Sequence, residues 1–148
     1  MNMNKSSEIR LKQMVERLKE HDCRITPQRY AVLRVLSRSV DHPSAETIYG
    51  QLAPEYPTMS LATVYKTINL LKKNGEVLEL EFSELGNRYD GNKPYPHPHV
   101  ICTGCGTIVD PSMLDLDEIT SKMMEETGFN ITSHRLDFYG LCPDCQNK

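Results

Sequence analysis

The chain has 148 residues, of which 39% are hydrophobic and 25% are charged, and its formal net charge is −3. These values are typical of a globular protein with one or two small domains, and they exclude a disordered chain. The sequence has no run of about 18 apolar residues that could span a membrane, and its first residues lack the apolar segment of a signal peptide. We therefore expect a cytoplasmic protein with no membrane partner.

Charge is distributed unevenly along the chain. Residues 1–76 contain 12 Lys or Arg and 8 Asp or Glu, whereas residues 77–148 contain 5 and 12. Phosphate groups attract a basic surface, so only the first half is a candidate for contact with nucleic acid. A chance fluctuation would give the same numbers, and a motif is needed to decide between the two explanations.

Four helices and a hairpin are predicted in the first half from the spacing of apolar residues. The first helix covers residues 8–22, and the fourth ends near residue 73, before an Asn-Gly stop. Capping residues precede the other helices: Thr26 (followed by Pro27), Ser44 and Ser60. Strand-like runs follow at residues 77–82 and 87–90. Helices followed by a small hairpin predict a winged helix-turn-helix domain over residues 1–90.

A Pro- and Gly-rich segment at residues 91–96 predicts a hinge. Beyond it, residues 97–148 are expected to form a small α/β domain. Its predicted elements are strands at residues 99–101, 107–109 and 129–139 and a helix at residues 116–127. The fold class is therefore α+β, with an N-terminal winged helix-turn-helix domain joined by the hinge to the α/β domain.

The predicted helix after Ser60 has two distinct faces. Its buried seam consists of apolar residues at spacings of three and four: Leu61, Val64, Ile68 and Leu71. The opposite face carries small, aromatic, amide and cationic side chains: Ala62, Thr63, Tyr65, Lys66, Asn69, Lys72 and Lys73. Such a face suits a recognition helix in the major groove. An ordinary solvated face is the alternative, and the hairpin and the basic first half favour DNA.

Two C-x2-C pairs lie in the predicted α/β domain, one on each side of a strand, a helix and a strand. Cys102 and Cys105 form the first pair, and Cys142 and Cys145 form the second. Four thiolates complete a tetrahedral zinc shell with no open position, which makes the site structural. Disulfides and a redox dithiol are the alternatives, and a reducing cytosol disfavours the first. The fifth cysteine, Cys23, is expected to be a half-buried free thiol.

Histidines and carboxylates are clustered around the predicted hinge. His97 and His99 project from the same side of an extended strand, because side chains alternate with period two. Asp90 precedes the hinge, and Asp110 follows the first cysteine pair closely. His42 lies far away in sequence. Together the five would form a mixed nitrogen and oxygen shell suited to Mn²⁺ or Fe²⁺, although spacing alone does not assemble so dispersed a site.

These motifs resemble the ferric uptake regulator superfamily, and within it the peroxide-sensing repressor branch is the most similar. The resemblance covers nearly the whole chain. It rests on Arg24-Ile-Thr-Pro-Gln-Arg29, His42-Pro-Ser-Ala-Glu-Thr-Ile-Tyr49, Ser60-Leu-Ala-Thr-Val-Tyr65, Arg88-Tyr-Asp90, His97-x-His99, Cys102-x-x-Cys105, Ser133-His-Arg-Leu136 and Tyr139-Gly-Leu-Cys142. The family pattern implies a winged-helix domain, a hinge and a dimerisation domain that carries the four-cysteine zinc.

The resemblance also implies roles for individual residues. The regulatory metal site falls on His42, Asp90, His97, His99 and Asp110. The implied targets of oxidation are His42 and His97. Tyr65 falls where the family has a base-contacting tyrosine, and Arg24 where a basic residue enters the minor groove. The remaining candidate DNA contacts are Ser60, Thr63 and Lys66.

An Asp at position 90, where iron-uptake members tend to carry Glu, favours peroxide sensing. The prolines that flank His97, Pro96 and Pro98, depart from the pattern.

The implied function is that of a metal-dependent, homodimeric transcriptional repressor and not of an enzyme. Each subunit would hold one structural Zn²⁺ and one regulatory Fe²⁺ or Mn²⁺, bind palindromic operator DNA, and release it when peroxide oxidises a histidine ligand. No organic substrate is expected. The first alternative is an iron- or manganese-responsive repressor of uptake genes without peroxide chemistry. A non-haem iron enzyme is a remote alternative, because five protein ligands leave little room for a substrate.

Overall fold

The computed structural model describes residues 5–82, 86–111 and 116–148, and it divides into two compact units at residues 1–95 and 96–148. The first unit therefore includes most of the segment predicted as a hinge, whose flexibility stays a prediction. Within the described ranges, no helix is long and apolar enough to cross a bilayer. Each unit is described separately below.

The described part of the first unit, residues 5–82 and 86–95, contains four helices followed by two antiparallel strands. They are α1 (Lys5–Glu20), α2 (Pro27–Arg38), α3 (Ala45–Leu52), α4 (Leu61–Lys73), β1 (Leu78–Phe82) and β2 (Gly86–Asp90). The three predicted caps are confirmed, since the hydroxyls of Thr26, Ser44 and Ser60 each accept a hydrogen bond from the backbone N–H three residues later. The winged helix-turn-helix architecture is confirmed as well.

The core of the first unit lies between the helices. Its largest fully buried side chains include Met14, Leu18, Leu33, Leu36 and Ile68. Each contributes about 1.5–3 kcal/mol to folding relative to an exposed position. Two apolar residues of the first two helices lie outside this core, since Ile9 is 52% exposed and Tyr30 is 40% exposed. The helical spacing of apolar residues identifies the buried face of a helix but not its edges, where apolar side chains are partly exposed to solvent.

A buried ion pair and a glycine hold the chain where it leaves β2. Glu76 is 1% exposed and binds the guanidinium of Arg10 at 2.8 Å, while Arg10 Nε donates to the carbonyl of Gly91 at 2.7 Å. A Cβ on Gly91 would lie 2.7 Å from the Cβ of Leu36, so no larger residue fits there. The turn that follows Asp90 is therefore fixed from two sides.

In residues 96–111 and 116–148, the second unit forms a three-stranded sheet and two helices. Its elements are β3 (His99–Cys102), β4 (Ile108–Val109), α5 (Leu116–Thr127), β5 (Asp137–Gly140) and α6 (Pro143–Gln146). The strand order is β4-β3-β5, with β3 antiparallel to β4 and parallel to β5, so α5 lies in the crossover between β4 and β5. This small α/β arrangement confirms the predicted fold class.

The predicted strand at residues 129–139 is correct only over its last three residues. Residues 129–136 are irregular, and β5 covers Asp137–Gly140. Alternating apolar residues suggested a strand, but a strand also needs a partner to satisfy its backbone groups. The four residues of β3 pair with β5 only from His99↔Asp137 to Cys102↔Gly140. The earlier residues have no opposite position on β3.

Large apolar side chains are exposed across the second unit. None of the described residues of α5 is buried, and Phe129, Phe138 and Tyr139 are 72%, 47% and 61% exposed. Among the described residues of this unit, the buried hydrophobic ones are few: Ile101, Cys102 and Ile108. An extended apolar surface on a small domain is typical of a protein–protein interface.

Candidate metal centres and DNA-facing helix

The four paired cysteines converge on one point in the second unit. One sulfur atom from each of Cys102, Cys105, Cys142 and Cys145 lies within 4.8 Å of all the others. The Sγ atoms of Cys105 and Cys142 are 3.8 Å apart, which matches the sulfur–sulfur edge of about 3.8 Å in a tetrahedron with zinc–sulfur bonds of about 2.3 Å. The five cysteines of the chain are free thiols. This donor set fits a structural zinc ion.

Backbone amides prepare the cluster for negative charge. Cys102 Sγ accepts N–H groups from Cys142, Cys105 and Gly104 at 3.3, 3.5 and 3.4 Å. These hydrogen bonds, with that from Cys142 the largest, lower the pKa of Cys102 to about 6. Hydrogen bonding to the neighbouring thiol of Cys142 raises the pKa of Cys145 to about 12. The cluster therefore ionises fully only when a cation displaces its protons.

His42 and Asp90 form a buried pair in the first unit. They are 1% and 4% exposed, and His42 Nε2 lies 3.2 Å from Asp90 Oδ2. The other oxygen, Asp90 Oδ1, accepts the backbone N–H groups of Asn92 and Lys93 at 3.0 and 2.8 Å. The carboxylate is thereby oriented with one oxygen toward the turn and one toward the imidazole.

The backbone of His42 adopts a left-handed conformation with φ 52°, which costs a non-glycine residue about 1–3 kcal/mol. Strand β2 holds it there. Arg88 Nε donates to the His42 carbonyl, the Arg88 guanidinium donates to the Asp41 carbonyl at 2.8 Å, and Tyr89 N–H donates to the Pro43 carbonyl at 3.0 Å. This role of Arg88 is not predicted from the sequence, although Arg88 belongs to the Arg-Tyr-Asp motif that ends with Asp90.

His97, His99 and Asp110 form a second cluster, within the second unit. Asp110 Oδ2 lies 3.2 Å from His97 Nε2, and Asp110 Oδ1 lies 3.7 Å from His99 Nε2. The two imidazole rings have their centroids 4.4 Å apart, as expected for side chains on one face of an extended segment. All three residues present ligand atoms within 4.8 Å of one another.

Imidazole and carboxylate donors suit Mn²⁺, Fe²⁺ or Zn²⁺. The first unit supplies one nitrogen and one oxygen, and the second supplies two nitrogens and one oxygen. Neither set alone fills the coordination shell of a five- or six-coordinate ion. The donors of each unit therefore fit the implied regulatory metal in type.

Helix α4 presents the predicted DNA-facing residues. Tyr65 is 37% exposed, Lys66 is exposed, and the hydroxyls of Ser60 and Thr63 are 3.0 Å apart at the helix N-terminus. Tyr65 Oη donates to Glu46 Oε1 on α3 at 2.7 Å, and this hydrogen bond raises the pKa of Tyr65. Glu46 lies 19 residues before Tyr65, and no motif in the sequence predicts this contact.

Arg24 is exposed and lies outside α4, in the segment between α1 and α2. Its carbonyl accepts a hydrogen bond from the Arg29 guanidinium at 2.7 Å. Cys23 beside it is half-buried, and its thiol lies 3.6 Å from the His21 carbonyl.

Comparison with known proteins identifies the family. The model of the ferric uptake regulator family matches residues 20–139. The peroxide-responsive repressor PerR of Staphylococcus saprophyticus is 42% identical over 141 residues, which is 95% of each chain. Among solved structures, the Helicobacter pylori ferric uptake regulator Fur aligns with a TM-score of 0.81 and 27% identity, covering 100% of this chain and 99% of Fur. PerR from Streptococcus pyogenes aligns with a TM-score of 0.53 and 39% identity, covering 92% of both chains. The chain belongs to the ferric uptake regulator family.

Proposed function

We propose that the protein is a metal-dependent, homodimeric transcriptional repressor whose regulatory ion is bound jointly by His42, Asp90, His97, His99 and Asp110. The observation that carries this proposal is the pair of incomplete, pre-oriented ligand sets, one in each unit. His42 is held in a strained conformation that the fold stabilises with several hydrogen bonds. Strain of this kind is concentrated at functional sites.

Binding one ion with ligands from both units would restrict the orientation of the DNA-binding unit. In a dimer, that orientation determines the spacing of two recognition helices, which must match half-sites on the operator. A ligand that shifts a 1:99 equilibrium to 99:1 must favour one state by about 5.5 kcal/mol. Several coordination bonds can provide this preference. The metal acts by selecting the conformation that binds DNA.

Peroxide is the proposed signal, in line with the peroxide-responsive relatives at 41–42% identity. A bound Fe²⁺ would supply the reductive cleavage of the peroxide bond beside the ligand imidazoles. One oxygen atom is added to a ring carbon of His42 or His97, the other leaves as water, and the ring loses two electrons to peroxide. An oxidised imidazole is a poorer ligand, so the metal-dependent conformation is lost and the operator is released.

The proposed dimer forms through the second unit, which would cover its exposed apolar residues. Two copies related by a twofold axis require a palindromic operator, since each recognition helix meets the same half-site. We place the protein in the cytoplasm, where reducing conditions would keep the clustered cysteines as thiols able to bind zinc.

Mild peroxide is expected to add a single oxygen to His42 or His97 of the iron-loaded protein and to release it from operator DNA. Manganese-loaded protein should bind the same DNA and stay unmodified, because Mn²⁺ does not reduce peroxide under these conditions. Peptide mass spectrometry and an electrophoretic mobility assay on the same samples measure both events.

The manganese-loaded sample is the control for unspecific oxidation. If the protein is released from operator DNA while both histidines stay unmodified, oxidation at the metal is contradicted. The cysteine thiols are then the next candidates for the reaction with peroxide. If peroxide does not change DNA binding with either ion, the result favours the alternative function, an iron- or manganese-responsive repressor of uptake genes.

Replacing Tyr65 with Ala is expected to weaken specific operator binding by about 1–3 kcal/mol, the value of a lost base contact. Binding to unrelated DNA should change little, since phosphate contacts dominate there. Fluorescence anisotropy with operator and scrambled duplexes measures both affinities. Tyr65→Phe is the matched control, because it keeps the ring and removes only the hydroxyl that donates to Glu46. Parental operator affinity in Tyr65→Ala contradicts a recognition role for this residue.

A further inference from the structure

A carboxylate outside the proposed ligand set lies beside one of the ligands. Strands β3 and β5 are parallel, and their register places Asp137 directly opposite His99. Asp137 Oδ1 lies 3.4 Å from His99 Nδ1, and the side chains are 10% and 1% exposed. The backbone strengthens the pairing, since His99 N–H donates to the Leu136 carbonyl at 3.1 Å.

The ring of His99 lies between two carboxylates, one near each nitrogen. Nε2 is directed toward Asp110 at 3.7 Å, and Nδ1 is directed toward Asp137 at 3.4 Å. A neutral imidazole carries one proton on one nitrogen and a lone pair on the other. Only the nitrogen with the lone pair can bind a metal. The carboxylate that takes the N–H therefore decides which nitrogen is the ligand atom.

Two contacts distinguish the roles of the carboxylates. Asp110 contacts both His97 and His99, so its oxygen atoms lie where two imidazole nitrogens converge. Asp137 instead binds Arg135 Nε with its other oxygen, Oδ2, at 2.6 Å. An arginine neutralises and orients this carboxylate, which suits a hydrogen-bond acceptor and disfavours a metal ligand.

We infer that Asp137, oriented by Arg135, positions His99 by accepting Nδ1–H, so that Nε2 is the metal-binding atom. This inference rests on the proposed function. A carboxylate that binds the outer nitrogen of a ligating histidine fixes its tautomer and ring orientation and raises its basicity, and removing such a partner costs about 10–100-fold in metal affinity. Asp137 is a positioning residue and does not contact the ion.

The test uses the full-length, zinc-loaded dimer and compares Asp137→Asn and Asp137→Ala with the parent. Glu125→Gln, which removes an exposed carboxylate from α5 of the same unit, is the matched control. Mn²⁺ affinity is measured by electron paramagnetic resonance of the free ion. The tautomer of His99 is measured by ¹⁵N nuclear magnetic resonance without Mn²⁺, at a pH where the ring is neutral. Zinc content and mass in solution are recorded for every variant.

We expect Asp137→Ala to bind Mn²⁺ about 10–100-fold more weakly and to lose the Nδ1–H preference of His99, with zinc and dimer unchanged. Asp137→Asn should fall between Asp137→Ala and the parent, and Glu125→Gln should match the parent. An unchanged His99 tautomer in Asp137→Ala overturns the inference. If Asp137→Ala fails to keep its zinc, the test relies on Asp137→Asn. Mn²⁺ affinity equal to that of the parent in Asp137→Asn then overturns the inference.

His99→Ala separates this inference from the proposed function. If His99→Ala keeps the parental Mn²⁺ affinity, the regulatory metal assignment fails, and with it the inference. If His99→Ala loses Mn²⁺ while both Asp137 variants retain it, the metal assignment stands and only the positioning role of Asp137 is overturned.

Discussion

Replacing His42 or His97 with Ala is expected to abolish metal-dependent DNA binding while zinc and the dimer stay intact. Under the proposed function each residue supplies one of five ligands, so either change leaves the regulatory ion with four and weakens the metal-dependent preference for the DNA-binding conformation. Operator affinity in the presence of Mn²⁺ should then fall about 100-fold, to the level of the metal-free protein, if only about 1% of that protein is in the binding conformation.

Fluorescence anisotropy with and without Mn²⁺ measures this effect, and His21→Ala is the control, because His21 is an exposed histidine outside both clusters. His42 also has a positive φ, so its replacement by Ala adds a cost to folding. His42→Asn addresses this point, since Asn adopts the left-handed region more readily than Ala. A variant at either histidine that retains the full response to Mn²⁺ contradicts the shared metal site.

Replacing Cys102 or Cys142 with Ser is expected to remove zinc, the dimer and solubility together. A structural zinc site contributes about 10–16 kcal/mol of apparent binding free energy, which is comparable to the whole stability of an ordinary domain. The second unit has few buried apolar residues to compensate for this loss. Metal analysis and size-exclusion chromatography measure zinc content and assembly.

Cys23→Ser is the matched control, because it changes a half-buried thiol in the first unit and should keep zinc and dimer. A soluble, zinc-free dimer of Cys102→Ser or Cys142→Ser would show that the ion is dispensable. The four-cysteine cluster would then need a different explanation, such as a redox role.

Local signals in the sequence predicted the fold well where they act within a few residues. Thr26 and Ser60 identified helix starts because a capping hydroxyl bonds to the backbone three residues later. The spacing of Cys102 and Cys105 indicated a metal site, because two thiolates three residues apart can bind the same ion. Residues 129–136 were predicted wrongly as a strand, because the length of β3 limits the pairing of β5 and is not visible in the segment itself.

Contacts between residues that are far apart in the sequence were harder to predict from the sequence. The pairing of His99 with Asp137 depends on the register of two parallel strands, and the contact of Arg88 with His42 joins positions 46 residues apart. Neither has a sequence signature of its own. The resemblance to the ferric uptake regulators suggested the ligand set, while its orienting residues emerged only from the structure.

Strand β3 is four residues long, begins with His99 and ends with Cys102. One short segment thus carries a ligand of the proposed regulatory site and one of the four cysteines of the proposed zinc site. Because an incomplete zinc cluster would leave this segment poorly ordered, we expect loading to follow a fixed sequence, with zinc first and manganese or iron second. In a cell starved of zinc, newly made protein would therefore not reach the state that responds to the other two metals, however abundant they are.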